Sequence, residues 1–108
     1  MLFRSINDVL STLGTVSHNI INGNTLAGVS ILSAAGGATF QNNVTNGNGQ
    51  YGISVVGPGP TGVVRNVEVT NNTSLANGNF DMFDGSAVCA GTAWSGNTFF
   101  TANQSCIH

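Results

Sequence analysis

The sequence predicts an all-β fold in which about four short coils stack along one axis as a solenoid. The first observation is a five-residue frame with asparagine at its fourth position. Its four copies are Val16–Ile20, Phe40–Val44, Val69–Thr73 and Trp94–Thr98. The frame asparagines Asn19, Asn43, Asn72 and Asn97 follow one another at spacings of 24, 29 and 25 residues. A repeat period in the twenties indicates that one structural unit recurs along the chain.

The second observation is that the first two repeats agree without a gap beyond the frame. Asn22-Gly23-Asn24 aligns with Asn46-Gly47-Asn48, and Gly28–Ile31 aligns with Gly52–Val55, each pair being 24 residues apart. The longer second spacing contains an insertion rich in glycine and proline at Gly57–Gly62. The repeat is therefore a coil with one corner of variable length.

Each repeat contains the elements of three short strands. Apolar residues alternate in Val29 and Ile31 and again in Ile53 and Val55, which is typical of strands with one face inward. Turns on one edge are indicated by the steps Asn22-Gly23, Asn46-Gly47, Asn48-Gly49 and Asn77-Gly78. Stacked coils pair each strand with its copy in the next coil, so we expect parallel sheets that run along the axis.

The frame asparagine has a predicted structural role. Asparagine enters the left-handed backbone region more easily than other residues with side chains, so we expect it to bend the chain between two strands. Its amide can also bond to the equivalent amide in the coils above and below, as stacked amides do in ladders. We call this expected row the asparagine ladder, formed by Asn19, Asn43, Asn72 and Asn97.

Residues 1–15 differ from the coils that are predicted over residues 16–108. Apolar residues at Phe3, Ile6, Val9, Leu10 and Leu13 have helical spacing. This pattern predicts an amphipathic helix that covers the open end of the core, because the terminal unit of a solenoid needs a cap. The alternative is a degraded first coil in which Val9 and Leu13 point inward.

The asparagine bend, the Gly-Ile or Gly-Val strand and the Asn-Gly turn together resemble the right-handed parallel β-helix repeat of the pectate-lyase-like superfamily. The tail from Asp81–Gly85 through Trp94–Phe99 to Thr101–Cys106 resembles the C-terminal portion of secreted bacterial members. The resemblance covers about residues 16–106 and implies a three-sided, right-handed solenoid. Because this scaffold carries lyases, hydrolases, epimerases, adhesins and phage tail-spikes, it is specific for fold and weak for function.

The composition argues against several partners. Charged residues are 6% of the chain, and the basic residues are Arg4 and Arg65 alone. Phosphate backbones are bound by clustered cations, so we expect no nucleic-acid partner. No apolar run reaches the roughly 18 residues of a membrane span, so no membrane insertion is expected. The N-terminus does not resemble a signal peptide, so an export signal is not expected within this chain.

The cysteines suggest a staple at the end of the solenoid. Cys89 and Cys106 are the two cysteines of the chain, and His18 and His108 are its two histidines. The two cysteines are far apart in the sequence, so the chain lacks the close cysteine pair that would suggest a metal site. We predict a disulfide that closes the last coil and indicates an oxidising, secreted or cell-surface location. The alternative is two reduced thiols.

The predicted coils carry few groups for chemistry. Family lyases use several carboxylates to hold calcium and a basic residue to abstract a proton, but the acids here are Asp8, Glu68, Asp81 and Asp84. We therefore expect no catalytic residues and no cofactor. Asp81 and Asp84 lie three residues apart, and we interpret them as a solvated turn in preference to a weak calcium contact. Arg65 and Glu68 fit a surface ion pair better than an acid/base couple.

The sequence thus favours a non-catalytic structural or cell-surface solenoid that self-associates through exposed coil ends or faces. Trp94 aligns with Val16, Phe40 and Val69 and is expected in the core. The competing hypothesis is a carbohydrate-active module, either a truncated lyase or hydrolase relative or a glycan binder. It would bind polysaccharide beside the Gly57–Gly62 insertion, with Tyr51, Arg65 and Glu68 as weak candidate ligand-binding residues.

Overall fold

A computed structural model describes residues 6–7, 14–32, 37–57 and 64–108. The described residues fold as an all-β structure with parallel sheets, together with one short 3-10 turn at Ala87–Cys89. None of them forms a helix of the length and apolarity that a membrane span requires. The strands are β1 Ile6–Asn7, β2 Thr15–Ser17, β3 Val29–Leu32, β4 Ala38–Gln41, β5 Tyr51–Val56, β6 Val67–Thr70, β7 Thr73–Ser74, β8 Phe80–Asp84, β9 Thr92–Ser95 and β10 Thr98–Phe99.

The strands form three parallel sheets, and each sheet joins segments that lie one sequence repeat apart. One sheet has the order β1-β3-β5-β8, the second has the order β2-β4-β6-β9, and the third pairs β10 with β7. Single parallel bridges join Ile20 to Val44 and Val44 to Thr73, which extends the third sheet toward the N-terminus. The chain therefore visits the three sheets in turn, and every strand pairs with the equivalent segment of the next repeat.

The register of these sheets matches the alignment of the repeats in the sequence. In β3 and β5, Val29 pairs with Ile53 and Ile31 pairs with Val55, as the ungapped alignment requires. In the second sheet, Val16 pairs with Phe40, Phe40 with Val69 and Val69 with Trp94. Because a slip of one residue would send each apolar side chain to the opposite face, burial fixes this register.

The core is one cluster of inward side chains from the first two sheets and the loops between them. Burying each valine or isoleucine side chain contributes about 1.5–3 kcal/mol, so the cluster supplies much of the driving force for folding. Trp94 lies in the core as expected, with 3% of its surface exposed. The cluster comprises Ile21, Val29, Ile31, Phe40, Ile53, Val55, Val64, Val67, Val69, Met82, Cys89, Trp94 and Ile107.

The residues that the structure describes near the N-terminus do not form the predicted helix. Ile6–Asn7 form strand β1, and Ile6 pairs in parallel with Val29. A strand at this position fits the alternative of a degraded first coil, because it extends the sheet of β3 by one strand. The rest of that prediction, including Val9 and Leu13, lies outside the described residues. So do residues 33–36 and 58–63, which include most of the predicted third corner and its insertion.

The bend in the repeated frame lies one residue earlier than predicted. The left-handed conformation belongs to the third position, where His18, Asn42, Asn71 and Gly96 have φ values of 59, 56, 55 and 65°. The third residue lies on the outside of the bend, and His18, Asn42, Asn71 and Gly96 are all exposed. The frame asparagine follows it and turns its amide inward.

A second left-handed bend lies in the predicted Asn-Gly turns. Gly23 and Gly47 have φ values of 69 and 65°, and the equivalent residue of the third repeat is Ala76 with φ 59°. Asn77-Gly78 was expected to match these turns, but Gly78 instead stacks on Gly49. A Cβ at Gly78 would lie 2.0 Å from the Gly49 carbonyl oxygen. Glycine is therefore required at position 78 because two backbones approach closely there. The left-handed conformation of this bend is adopted by Ala76 instead.

Replacement of Ala76 by glycine is expected to stabilise the protein. The left-handed region costs an alanine about 1–2 kcal/mol, and glycine avoids this cost while adding some entropy to the unfolded chain. Ala76 is exposed, so no packing is lost. We expect Ala76→Gly to raise the free energy of unfolding by about 0.5–1 kcal/mol in chemical denaturation.

The matched control is Ala93→Gly, on the exposed face of strand β9. The same substitution there should lower the free energy of unfolding by about 0.5–1 kcal/mol, because strand geometry suits alanine and the flexibility of glycine is a cost. A destabilising effect at both positions would contradict a left-handed conformation at Ala76.

Candidate functional site

The asparagine ladder is a continuous hydrogen-bonded row through the four copies of the repeated frame. Each Oδ1 accepts two hydrogen bonds from the preceding asparagine, one from its backbone N–H and one from its side-chain Nδ2. The backbone bonds from Asn19, Asn43 and Asn72 are each 2.9 Å long. The side-chain bonds, in the same order, are 3.1, 3.2 and 3.1 Å. The repeated frame of the sequence thus corresponds to a repeated polar contact between neighbouring coils.

Each ladder amide also holds the strand that precedes it in the stack. The Nδ2 of Asn43 donates to the carbonyl of Val16, that of Asn72 to Phe40, and that of Asn97 to Val69. Asn43 and Asn72 are 1% exposed. Their donors and acceptors are satisfied within the protein, as burial of an amide requires. The ladder is therefore part of the core.

A second row of amides lies in the turns that the sequence marked only as Asn-Gly steps. Asn24 donates from its backbone and side chain to Asn48 Oδ1, at 2.9 Å in both cases. Asn48 donates in the same way to Asn77 Oδ1, at 2.9 and 3.0 Å. We call Asn24, Asn48, Asn77 and the carboxylate that follows them, Asp81, the second ladder. Its signal was available in the sequence, since Asn24 and Asn48 are 24 residues apart.

Asp81 ends the second ladder. Its Oδ1 accepts the backbone N–H and the side-chain Nδ2 of Asn77 at 3.0 and 2.9 Å. Its Oδ2 accepts the backbone N–H groups of Phe100 and Thr101 at 3.0 and 3.2 Å. A carboxylate has only acceptors, so it can receive donors from both sides of the stack. Desolvation by burial raises the pKa of Asp81, but the N–H donors of Asn77, Phe100 and Thr101 outweigh it and hold the pKa below its ordinary value of 3.8.

Asp84 is also buried, and the solvated turn predicted for Asp81 and Asp84 is wrong. Asp84 has 0% of its surface exposed and Asp81 has 2%. The Oδ2 of Asp84 accepts the indole N–H of Trp94 at 2.8 Å, and its Oδ1 accepts the backbone N–H of Ser86 at 2.8 Å. Both aspartates lie on β8, and each carboxylate links that strand to the last coil.

Near the C-terminus, the side chain of Asn103 bonds to the backbone of β8 in the way that a neighbouring strand would. The Oδ1 of Asn103 accepts the backbone N–H of Asp84 at 2.8 Å, and its Nδ2 donates to the carbonyl of Asp84 at 2.8 Å. A disulfide joins Cys89 to Cys106, with a Cα–Cα distance of 6.0 Å. It ties the 3-10 turn to the tail, beside Ile107 in the core. Closing a loop of this size contributes on the order of 3 kcal/mol to stability by the chain-entropy estimate.

The described residues contain no group of three or more histidine, cysteine, aspartate or glutamate side chains that could hold a metal ion. The oxygens of Asp81 and Asp84 already accept N–H groups, so a calcium ion at either would have to displace those bonds. Calcium requires six or more oxygen ligands.

The three residues predicted to bind a ligand lie on two different sheets. Glu68 is in β6 and Arg65 lies just before that strand, whereas Tyr51 begins β5. Glu68 helps to line a surface cavity of about 430 Å³ with Asn66, Val67, Gly91, Thr92 and Ala93. Tyr51 does not line this cavity, so the three residues do not make one site.

Tyr51 instead belongs to an aromatic cluster that sequence reasoning missed. Its ring centroid lies 4.8 Å from that of Phe83, and Phe80 lies 6.1 Å from Phe83. The three half-buried rings lie on strands β5 and β8. The alignment of Tyr51 with Phe80 was visible in the repeats, but no copy of Phe83 recurs to draw attention to it.

A scan of protein-family models, a search of curated proteins and a search of solved structures each gave no match.

Replacement of Asn72 by aspartate is expected to destabilise the protein strongly. The new carboxylate would face the Phe40 carbonyl, to which Asn72 Nδ2 now donates at 2.9 Å, and it could donate nothing there. A buried, unpaired acceptor of this kind costs about 3 kcal/mol or more. Chemical denaturation should show this loss for Asn72→Asp.

The adjacent Asn71→Asp provides a control with the same change of charge at an exposed position. It should alter the free energy of unfolding by less than about 0.5 kcal/mol. Equal effects at the two positions would contradict the inward orientation of Asn72.

The Asp81 carboxylate is expected to make stability depend on acid pH. Because its folded pKa lies below 3.8, its contribution is fully present above that value and is lost as pH falls through the folded pKa. In Asp81→Asn, the amide can serve either the Asn77 donors or the Phe100 and Thr101 donors. At neutral pH we therefore expect a loss of about 2–3 kcal/mol. The loss should shrink as pH is lowered below about 4.

Denaturation curves at a series of pH values measure this effect. Glu68→Gln, on the exposed face of β6, is the matched control and should change the free energy of unfolding by less than about 1 kcal/mol. An Asp81→Asn protein that keeps the acid sensitivity of the parent would show that other carboxyl groups cause it.

Proposed function

We propose that the chain is a short right-handed parallel β-helix of about four coils, similar to the pectate-lyase-like repeat, and that it acts as a non-catalytic structural or cell-surface module that associates with itself. The proposal for the fold is supported by the pairing of every strand with the next repeat in parallel. It is also supported by the two polar ladders, which connect successive repeats at one spacing. The disulfide supports a secreted or surface location, since such bonds persist in oxidising compartments.

The observation that carries the proposed self-association is the free edge of β9. In the described part of the chain, β9 pairs with β6 on one side and ends its sheet on the other. The carbonyls of Gly91 and Ser95 accept bonds from Val67 and Asn71 on the β6 side. In a parallel ladder the intervening residues, Thr92 and Trp94, direct their N–H and C=O groups to the opposite edge. Such an edge is a template for a strand of another chain.

Exposed apolar residues near the same end of the chain support this proposal. Phe100 is 84% exposed and Val88 is 81% exposed. Val88 also has φ 48°, and a β-branched residue rarely occupies the left-handed region. Unusual backbone conformations of this kind cluster at interaction and functional sites. A second copy that pairs with β9 would be placed to cover part of this apolar surface.

We propose no reaction because the buried carboxylates already accept hydrogen bonds from structural donors. Asp81 and Asp84, the buried carboxylates of the described residues, are acceptors for structural N–H donors. Arg65 and Glu68 are both exposed and lie three residues apart in the sequence, and we propose a surface ion pair between them.

A second candidate function, glycan binding, is favoured by the aromatic cluster alone. Rings on the outside of a sheet provide an apolar face against which a sugar ring can pack, and the hydroxyl of Tyr51 provides a polar tip. Under this candidate, Tyr51 with Phe80 and Phe83 would form the binding surface. Glu68 would belong to a separate cavity on the neighbouring sheet, which Arg65 does not line.

Size-exclusion chromatography with light scattering tests the proposed association. We expect a mass above the 11.0 kDa of one chain that increases with concentration. Ala93→Lys places a charge on the edge strand and should weaken association by about tenfold or more, because edge lysines oppose strand pairing. Thr39→Lys adds the same charge to the same outward row on the interior strand β4 and should leave the mass unchanged.

The outcomes separate the two candidates. A protein of 11.0 kDa at every concentration, or equal effects of the two lysines, would contradict association through β9. A monomer retained on immobilised polygalacturonate, whose retention is lost in Tyr51→Ala, would favour glycan binding. Release of unsaturated products that stops in Arg65→Ala would indicate a lyase.

A further inference from the structure

We infer that the Asn22-Gly23 step is a site of spontaneous deamidation, and that the fold protects the three other Asn-Gly steps to different degrees. Glycine after asparagine favours this reaction because it has no side chain to hinder ring closure. The chain contains four such steps, Asn22-Gly23, Asn46-Gly47, Asn48-Gly49 and Asn77-Gly78. Their local sequences are alike, so differences in reactivity must come from their surroundings. This inference does not depend on the proposed self-association.

The reaction needs no partner other than water. The backbone nitrogen of the glycine loses its proton to solvent and attacks the asparagine Cγ, forming a five-membered succinimide. The Cγ–Nδ2 bond breaks, and the leaving nitrogen takes up protons from solvent and departs as ammonia. Water then opens the succinimide at either carbonyl, which gives aspartate or isoaspartate. Each event exchanges a neutral amide for a carboxylate.

The attacking nitrogen is held most weakly at Gly23. All four glycine N–H groups donate to a carbonyl of a neighbouring coil, and each of these bonds must break before ring closure. The bond from Gly23 to Asn46 is the longest, at 3.2 Å. Those from Gly47, Gly49 and Gly78 are 3.0, 2.8 and 2.9 Å.

The leaving amide is held firmly in the second ladder. Asn48 is 2% exposed, and its Nδ2 donates to Ile21 and to Asn77. The Nδ2 of Asn77 lies within hydrogen-bond distance of Thr45, Ser74, Leu75 and Asp81. Loss of that amide would also bring a new carboxylate against Asp81. Both steps are therefore protected by bonds that ring closure would have to break.

Among the residues that the structure describes, no acceptor holds the leaving amide of Asn22. It is exposed, and its Oδ1 accepts one bond, from the Asn46 N–H at 2.8 Å. That oxygen remains a carbonyl in the succinimide, so the bond does not hold the group that leaves. Asn46 has the same kind of contact, to the Leu75 N–H, but is half-buried. The expected order is Asn22 first, then Asn46, with Asn48 and Asn77 last.

Peptide mapping by mass spectrometry tests this order in the folded protein. The full chain is incubated at mildly alkaline pH, and each peptide is followed for the mass change from amide to acid. Two lost hydrogen bonds of about 1 kcal/mol each predict that Asn22 converts at least tenfold faster than Asn48 or Asn77. Asn22→Gln is the control, because its longer side chain closes the ring slowly and its peptide should keep its mass.

A second incubation in guanidinium, with the chain unfolded, identifies the cause. If the fold sets the order, the four steps convert at similar rates once the coils are lost. The inference is overturned if Asn48 or Asn77 converts as fast as Asn22 in the folded protein, or if the same order persists in the unfolded chain.

Discussion

The structure depends on the requirement that a buried amide be hydrogen-bonded on every side. An unsatisfied amide in the core costs about 1–3 kcal/mol, a large share of the stability of a domain of this size. Asn43 and Asn72 meet the requirement only because an equivalent amide lies in the adjacent coil, at the spacing of neighbouring strands in a sheet. The ladders therefore couple each repeat to the next and fix the parallel register together with the apolar core.

The ladders have a direction, and this determines what can end them. Each Oδ1 receives donors from the coil before it, so a terminal group must accept from that side. In the second ladder Asp81 accepts from Asn77 on one side and from Phe100 and Thr101 on the other. The asparagine ladder ends differently, because its last member is an amide. The Nδ2 of Asn97 donates a hydrogen bond to the carbonyl of His108. Termination by a carboxylate is the reason that we expect the second ladder to be sensitive to acid.

The sequence predicted most features that recur with a fixed period and missed those that occur once. Asn24 and Asn48 of the second ladder are the exception, since they recur at the same period and their pairing was not predicted. The spacing from Asn19 to Asn43 led to the asparagine ladder and to the strand register. Asp81 follows Asn77 by four residues, so no period pointed to its role. In the frame Phe40–Val44, asparagine fills both the third and the fourth position, as Asn42 and Asn43. That copy of the frame therefore did not indicate which of the two residues forms the bend. Only the variation between His18 and Gly96 at the third position indicated which residue could face solvent. Near the N-terminus, apolar spacing favoured a helix, but Ile6 pairs with the sheet because an unpaired β3 edge offers backbone partners.

The two ends of a stack face different physical problems, and the tail solves only one of them. Ile107 lies in the core at the C-terminal end, and Asn103 supplies donors and acceptors to the backbone of β8. These contacts close the sheet of β5 and β8, and in the described residues no strand is added beside β9. A cap of this kind keeps water from the apolar interior while leaving a row of backbone groups at one edge. Backbone groups bind another strand without regard to its side chains. Under the proposed self-association, that edge would favour a partner with the same strand spacing, which a second copy of this chain would supply.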